Sequence, residues 1–442
     1  MSLMERVQAS ERQAQPSAEG HGAARRTVEE LRQAVSERTS LEALAAILME
    51  NPERARNELR QACRQVLAEE GWSLLGPEER QALTQELLDV VFGLGPIEGL
   101  IADETITEVM VNGAQSIFYE REGRLHRSPL RFDDDEQVRV LIDRIIGPLG
   151  RRIDEQSPMV NARLPQGHRV NAIIPPLALD GPVLTIRAFT RHVMTLAEME
   201  RRGSLDAGMA TFLGWLVRAR KNVAVSGGTG SGKTTMLNAL SCLISAEERI
   251  ITIEDSAELR FEQHPHVVRL EARPRNAEGE GEVSIRDLVV NALRMRPDRI
   301  IVGECRSGEA IDMLQAMNTG HDGSLTTLHA NSPQDVIDRM VTMVRFAVDL
   351  PVDAIEAQIG NAFDYVVQVA RAHDGSRYLR EVAEFAFDRQ ARACVARTVY
   401  EREPLEERGR WERRPACLDA VLQARVASGK EVAAWERAVR WR

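Results

Sequence analysis

The sequence predicts an α/β protein: a domain built on a mostly parallel sheet flanked by helices, preceded by a smaller α+β domain and, before that, a helical extension. Three patterns in the 442 residues predict it. From Asp206 onward, short β-branched runs alternate with helical runs. Upstream, the apolar period is two on either side of a chain-reversal signal and then returns to helical spacing. Before position 100 the spacing is helical alone.

In chain order, residues 1–40 are rich in Glu, Arg, Gln, Ala and Ser and poor in large apolar side chains, which reads as a disordered or loosely helical tail. Residues 41–100 form the helical extension. Leu44, Ile47 and Leu48, then Leu59, Cys63, Val66 and Leu67, recur at helical spacing. A second run after Pro77 places Leu83, Leu87, Leu88 and Val91 on one face, and Gly93–Pro96 breaks it. Residues 101–193 form the α+β domain. Val109 and Val111, then Ile117 and Tyr119, alternate around Asn112-Gly113, the signature of a β-hairpin. A helix is expected over Val138–Ile146, a second hairpin from Arg163–Gly167 and Arg169–Ile174, and a strand over Val183–Phe189. Residues 194–205 are polar and read as a linker. Residues 206–388 carry strands at Asn222–Val225, Ile250–Ile253, Arg299–Val302 and Leu325–Leu328 with helical runs between them, the alternation of a parallel sheet. Residues 389–442, charged and containing Trp411 and Trp435, read as a C-terminal extension.

The net charge is −10 and aromatic residues make up 4% of the chain. Both weigh against a nucleic acid as the main partner, since a basic footprint and stacking surfaces are missing from the composition. Cys63, Cys242, Cys305, Cys394 and Cys417 are scattered and odd in number, so neither a disulfide framework nor a zinc site is expected, and a reducing cytoplasm fits. No signal peptide and no run of about 18 apolar residues is visible, so any membrane role is expected to come through a partner.

The chemistry is concentrated after Asn222, in N-V-A-V-S-G-G-T-G-S-G-K-T-T. Gly227, Gly232, Lys233 and Thr234 match G-x-x-x-x-G-K-[ST]. Glycine tolerates positive φ and lets the backbone curl around an anion. The N–H groups of Gly227, Gly228, Thr229, Gly230, Ser231, Gly232, Lys233, Thr234 and Thr235 then face phosphate, helped by a helix N-terminus. Lys233 reaches the β- and γ-phosphates of ATP and Thr234 ligates Mg2+.

Two further strands end in acids. Ile253 leads into Glu254-Asp255-Ser256-Ala257-Glu258, and Ile300-Ile301-Val302-Gly303 into Glu304. In an open α/β sheet ligands sit at the carboxyl ends of strands, so these acids should converge on the phosphate loop. Phosphoryl transfer to water needs one carboxylate on the metal side and one to orient water. Glu304 sits where the first is expected, but Gly303 occupies the usual aspartate position before it. The Glu254–Glu258 cluster is the natural replacement. His321 and His329 bracket the fourth strand. Thr326, Thr327 and His329 are candidates to sense the γ-phosphate, and a purely structural role for His329 stands beside that reading.

In chain order, G-G-T-G-S-G-K-T-T, I-E-D-S-A-E-L, I-I-V-G-E and T-L-H-A-N-S resemble the Walker A loop, Asp box, atypical Walker B and His box of type II/IV secretion ATPases. Upstream, D-E-T-I-T-E-V-M-V-N-G, G-R-R-I-D-E-Q-S-P-M-V-N-A-R-L-P-Q-G-H-R-V-N-A-I-I-P-P and L-T-I-R-A-F resemble the branch that powers tight-adherence (Flp) pili, often called CpaF or TadA. The likeness spans about Gly76 to Phe387. It implies a RecA-like P-loop ATPase domain behind an N-terminal domain, assembled as a cytoplasmic homo-hexamer that works through an inner-membrane platform protein to assemble a pilus or secrete protein. Carried over residue by residue, it makes Glu258 the best match for the water-activating acid and Glu304 the magnesium-side acid, with the reverse division, either acid as the base, left open. Arg169 and Arg187 match arginines that relatives direct at the phosphates, and Arg294 and Arg296 match a family run of unassigned role. Cys305 and Ser307 depart from the expected Val and Gly. Two alternatives share these motifs: a conjugation-type secretion ATPase, and a nucleotide-gated regulator with little turnover, against which the full set of acids argues.

Overall fold

The computed structural model describes residues 28, 30–39, 52–69, 72, 75–121, 123–149, 151–164, 167–188, 193–261, 264–273, 275, 280–404 and 406–442. The chain divides into two compact units, Met1–Thr190 and Arg191–Arg442. Leu44, Ile47, Leu48 and most of the expected tail lie outside the described residues.

In the first unit, helices Pro52–Leu67 and Pro77–Phe92 bury one apolar stripe each, and Leu59, Cys63, Val66, Leu67, Leu83, Leu87 and Leu88 meet in a small core. Residues 30–36 are helical, and Leu31 and Val35 join that core. This part of the expected tail is therefore packed: its few apolar residues fall on one helical face, and polar composition hid them. An antiparallel six-stranded sheet follows, built from β1 (Ile106–Asn112), β2 (Ile117–Arg121), β3 (Arg124–Arg127), β4 (Met159–Arg163), β5 (Arg169–Ile173) and β6 (Val183–Arg187) in the order β3-β2-β1-β6-β5-β4. Val109 stands opposite Tyr119 and Val111 opposite Ile117, the hairpin expected around Asn112-Gly113. In the second hairpin the first strand ends at Arg163, where Arg163–Gly167 was expected to continue it. Leu164 N–H donates to the His168 carbonyl (2.9 Å) and Gly167 N–H to that of Leu164 (2.8 Å), with Gly167 at φ 98°. A sequence carrying Pro and Gly serves the turn better than a ladder. Helix Asp135–Ile146 covers the sheet with Val138, Leu141, Ile142, Ile145 and Ile146.

The second unit is a nine-stranded sheet: β7 (Val223–Ser226), β8 (Ile250–Glu254), β9 (Val267–Glu271), β10 (Arg299–Val302), β11 (Leu325–Leu328), β12 (Tyr365–Arg371), β13 (Arg377–Asp388), β14 (Ala393–Glu401) and β15 (Arg410–Trp411), ordered β15-β14-β13-β12-β7-β11-β10-β8-β9. The six strands from β12 to β9 are parallel neighbours, and β13, β14 and β15 add antiparallel. β7, β8, β10 and β11 are buried along their whole length, as expected for parallel strands covered on both faces. One face packs on helices Ala207–Arg218 and Lys233–Ser241, the other on Ile285–Ala292, Glu309–Asn318, Pro333–Ala347 and Val352–Ala362.

Two expected boundaries give way. Residues 194–205 are not a polar linker: Leu196–Arg201 is a helix, with a Thr195–Glu198 capping box, and Leu196 and Met199 are buried in the core of the second unit. Residues 389–442 are not an appendage either. The boundary at 388 falls in the β13–β14 hairpin, and helices Leu418–Gln423 and Gly429–Ala438 complete the same core. Trp411 and Trp435 lie with ring centroids 5.0 and 6.0 Å from Phe212. The segment is charged because antiparallel strands and amphipathic helices keep one face in water, not because it stands apart. Among the described residues no helix is long and apolar enough to cross a membrane.

Candidate active site

β7 lies between β12 and β11 inside the sheet and delivers Gly227–Thr234 at its carboxyl edge. A Cβ on Gly227 would meet the Val369 carbonyl oxygen at 2.4 Å and Ser231 Oγ at 2.6 Å, so only glycine fits this close approach. Gly232, at φ 95°, is the left-handed residue that starts helix Lys233–Ser241. Lys233 Nζ donates to the carbonyls of Gly227 (3.1 Å) and Gly228 (2.8 Å), and Ser231 Oγ to Gly228 (2.8 Å). The lysine is 8% exposed. Burial lowers its pKa and the Arg306 charge adds to that, while the Glu304 charge opposes both. Thr234 and Thr235 follow in the first turn of the helix.

Two contacts that no local motif announces brace the loop. Gln368, buried on β12, accepts the hydroxyl proton of Ser226 at the base of the loop and donates to the Ala330 carbonyl (3.1 Å). Arg377, at the start of β13, donates its Nε–H to the Gly230 carbonyl (3.0 Å). Both come from strands far along the chain, and only the sheet order brings them here.

The structure gathers Lys233, His329, Glu304 and Arg306 into one chain of contacts. His329 Nδ1 is 3.4 Å from Lys233 Nζ, and its Nε2 is 3.0 Å from Glu304 Oε1. Glu304 Oε2 accepts from Arg306 Nη2 (2.6 Å), and Arg306 Nη1 is 3.8 Å from Asp255. Burial pushes the His329 pKa down, aided by the charges of Lys233, Arg306 and Arg339 and opposed by Glu304. Burial raises the Glu304 pKa, but Arg306, His329 and Lys233 together outweigh it and hold the carboxyl below its ordinary value. Thr326 and Thr327 are corrected. Both are buried: Thr327 Oγ1 donates to the Gly303 carbonyl (2.7 Å), tying β11 to the end of β10, and Thr326 Oγ1 to the carbonyl of its own neighbour Thr327 (3.4 Å), so both hydroxyls bond within the sheet.

Glu258 is half-buried on the loop after β8, and its N–H donates to Glu254 Oε1 (2.8 Å). Burial raises the Glu254 pKa, against the two backbone N–H groups it accepts and the Arg269 charge. Its Oε2 is buried with no partner among the described residues. Arg169 and Arg187 stand directly opposite each other on β5 and β6 of the first unit. The Thr234 hydroxyl and the Glu304 carboxylate are hard oxygen donors of the kind that suit Mg2+. The arrangement offers an N–H cradle, an ammonium and flanking carboxylates, the parts that bind and split a phosphoanhydride.

A family model described as "Type II/IV secretion system protein" matches residues 91–407. A Mycobacterium tuberculosis (strain H37Rv) protein, named provisionally as a conjugal transfer protein, is 39% identical over 316 residues, spanning 70% of this chain and 89% of that one. The type IV secretion system protein PtlH of Bordetella pertussis is 34% identical over 319 residues, 65% of this chain and 92% of its own. The solved ATPase DotB of Yersinia pseudotuberculosis matches with a TM-score of 0.50 at 18% identity, over 67% of this chain and 79% of that one, a likeness of fold. The match covers well over half of the sequence, its motifs fall at the carboxyl edge just described, and the chain therefore belongs to the type II/IV secretion system protein family as a P-loop ATPase.

Proposed function

We propose that this ATPase is a cytoplasmic, magnesium-dependent motor that powers pilus assembly or protein secretion through an inner-membrane platform protein, as a homo-hexamer. The observation that carries the reading is the contact chain from Lys233 through His329 to Glu304 beside the phosphate loop. Lys233 and the loop N–H groups bind the phosphates; Thr234 and Glu304 would hold Mg2+, which would supply positive charge against the phosphates. Glu258 orients the attacking water, His329 links the lysine to Glu304, and Arg169 and Arg187 neutralise the transferred phosphoryl group. Among branches of the family, the upstream runs point to tight-adherence pili. A conjugation-type role is the second reading, favoured by the name of the Mycobacterium tuberculosis relative.

Steady-state hydrolysis across magnesium concentrations tests the site. Lys233→Ala should abolish turnover. Glu258→Gln should bind a non-hydrolysable ATP analogue normally and hardly turn ATP over, whereas Glu304→Gln should shift the magnesium dependence of binding. Undiminished hydrolysis in Lys233→Ala overturns the assignment. A nucleotide-gated regulator would show binding without turnover in the unaltered protein.

A further inference from the structure

Gly303 stands where an aspartate usually precedes the acid of the third strand, and its surroundings explain the substitution. β10 and β8 are parallel neighbours with Val302 opposite Ile253, so the next residues, Gly303 and Glu254, emerge side by side. The Gly303 N–H donates to the Ile253 carbonyl at 2.8 Å. A Cβ on Gly303 would lie 2.8 Å from Glu254 Cγ and 3.4 Å from its Oε1. Glu254 is 3% exposed, so its side chain has little room to retreat. Its Oε1 accepts two main-chain N–H groups, from Glu258 at 2.8 Å and from Leu259 at 3.0 Å. Leu259 is itself fully buried in the core of the second unit. The turn that carries Glu258 is thus pinned by a carboxylate on one side and an apolar anchor on the other.

We propose that Glu254 is a positioning residue: packed into the space that Gly303 leaves open, it grips the main chain at Glu258 and Leu259 and so aims the Glu258 carboxylate. Glycine at 303 is required for this, and a side chain there and Glu254 exclude each other. The inference rests on the reading of Glu258 as the water-orienting acid and adds the pair of residues that sets its place. An anionic acceptor of two N–H bonds is worth more than a neutral one, and losing it strands two donors, one of them buried. A small misplacement of the water-orienting group suffices to slow the chemistry while leaving phosphate binding to the loop intact.

The test uses the full chain and four variants: Glu254→Ala, Glu254→Gln, Gly303→Ala and the double variant Glu254→Ala/Gly303→Ala. Three quantities are read: amide hydrogen exchange across 256–260, affinity for a non-hydrolysable ATP analogue, and kcat with KM. In Glu254→Ala and Gly303→Ala, exchange should accelerate about tenfold in this segment. kcat should fall roughly 10²-fold, with analogue affinity kept within about threefold. Glu254→Gln retains the volume and a neutral acceptor oxygen, so its losses in exchange and kcat should be clearly smaller than those of Glu254→Ala. The double variant should be no worse than Glu254→Ala alone, because the group that the added methyl strikes is gone. Unchanged exchange in Glu254→Ala, accelerated exchange with full kcat, or additive losses in the double variant would each overturn the proposal. Should Glu254→Ala fail to fold, Gly303→Ala set against Glu254→Gln decides the same question. Full turnover in Glu258→Gln would instead overturn the assignment of Glu258, and the exchange result would still report whether Glu254 holds the turn.

Discussion

Arg299 opens β10 at the end opposite Glu304, and it gives the strand a measurable anchor. Its side chain is fully buried. Nε and Nη2 reach the Glu248 carboxylate at 2.7 and 3.0 Å, Nη1 donates to the Gly323 carbonyl at 3.0 Å, and Nη2 to that of Val217 at 2.8 Å. One guanidinium thus ties the β10 entry to the loop before β11 and to the end of helix Ala207–Arg218. Arg299→Met keeps most of the length and apolar stem but breaks the pair. Removing one partner of a buried ion pair costs about 3–5 kcal/mol. Arg220 stays 2.8 Å from Glu248 and moderates the loss, while two stranded carbonyls work the other way at roughly 1–3 kcal/mol each, not additively. A net loss near 3–5 kcal/mol lowers the midpoint of a domain this size by roughly 6–20 °C. Calorimetry without nucleotide reads it from the transition that shifts. Burial raises the Glu248 pKa, but the bond and charge of Arg299 and the charge of Arg220 outweigh it, so the carboxyl lies below its ordinary value of 4.5. A folded pKa below the unfolded one contributes stability that is complete above the ordinary value and lost as pH falls through the lowered one. The gap between variant and unaltered protein should therefore be widest at neutral pH and narrow in acid below about 4.5. A midpoint within about 2 °C of the unaltered protein at pH 7 would show that the network carries no net stability, and the reasoning would fail.

Arg169→Ala and Arg187→Ala should each lower turnover strongly with analogue binding retained, since a finger arginine is worth roughly 10³–10⁵ in rate where measured. Unaltered turnover in both would make them ordinary residues of the β5–β6 ladder. Light scattering with and without a non-hydrolysable nucleotide should show a ring near six copies, and a strict monomer at every concentration would refute the motor reading.

What the sequence shows of this fold is what short range decides. β10 and β11 coincide with the expected Arg299–Val302 and Leu325–Leu328: Ile300-Ile301-Val302 is an apolar run closed by Gly303, and in Leu325–Leu328 two leucines flank two β-branched threonines. The phosphate loop is legible for the same reason: its glycines answer to local φ and local space, and a motif records both. Lys233, Glu304 and His329 could be nominated one by one because each ends or follows a strand. Their contact chain could not, since it needs the order β7-β11-β10.

The same logic accounts for what was hidden. Gln368 lies in the run Val366-Val367-Gln368-Val369, where a polar residue reads as an interruption of a strand. In the fold it is the buried link between Ser226 and Ala330, 142 and 38 residues away in the chain. Charge makes residues 389–442 read as an extension, although the decisive signal is the pair Trp411 and Trp435 in a chain with only 5 tryptophans. Indole rings bring a large apolar area and rarely stand in water without a purpose. Phe212, on a helix of the same unit, is the surface they cover. The helix that follows the phosphate loop, Lys233–Ser241, packs through Met236, Leu237 and Leu240 into that same core. The carboxy-terminal segment therefore belongs to the platform on which the phosphate loop rests, and a domain drawn to end at 388 would lose part of the floor beneath its own active site.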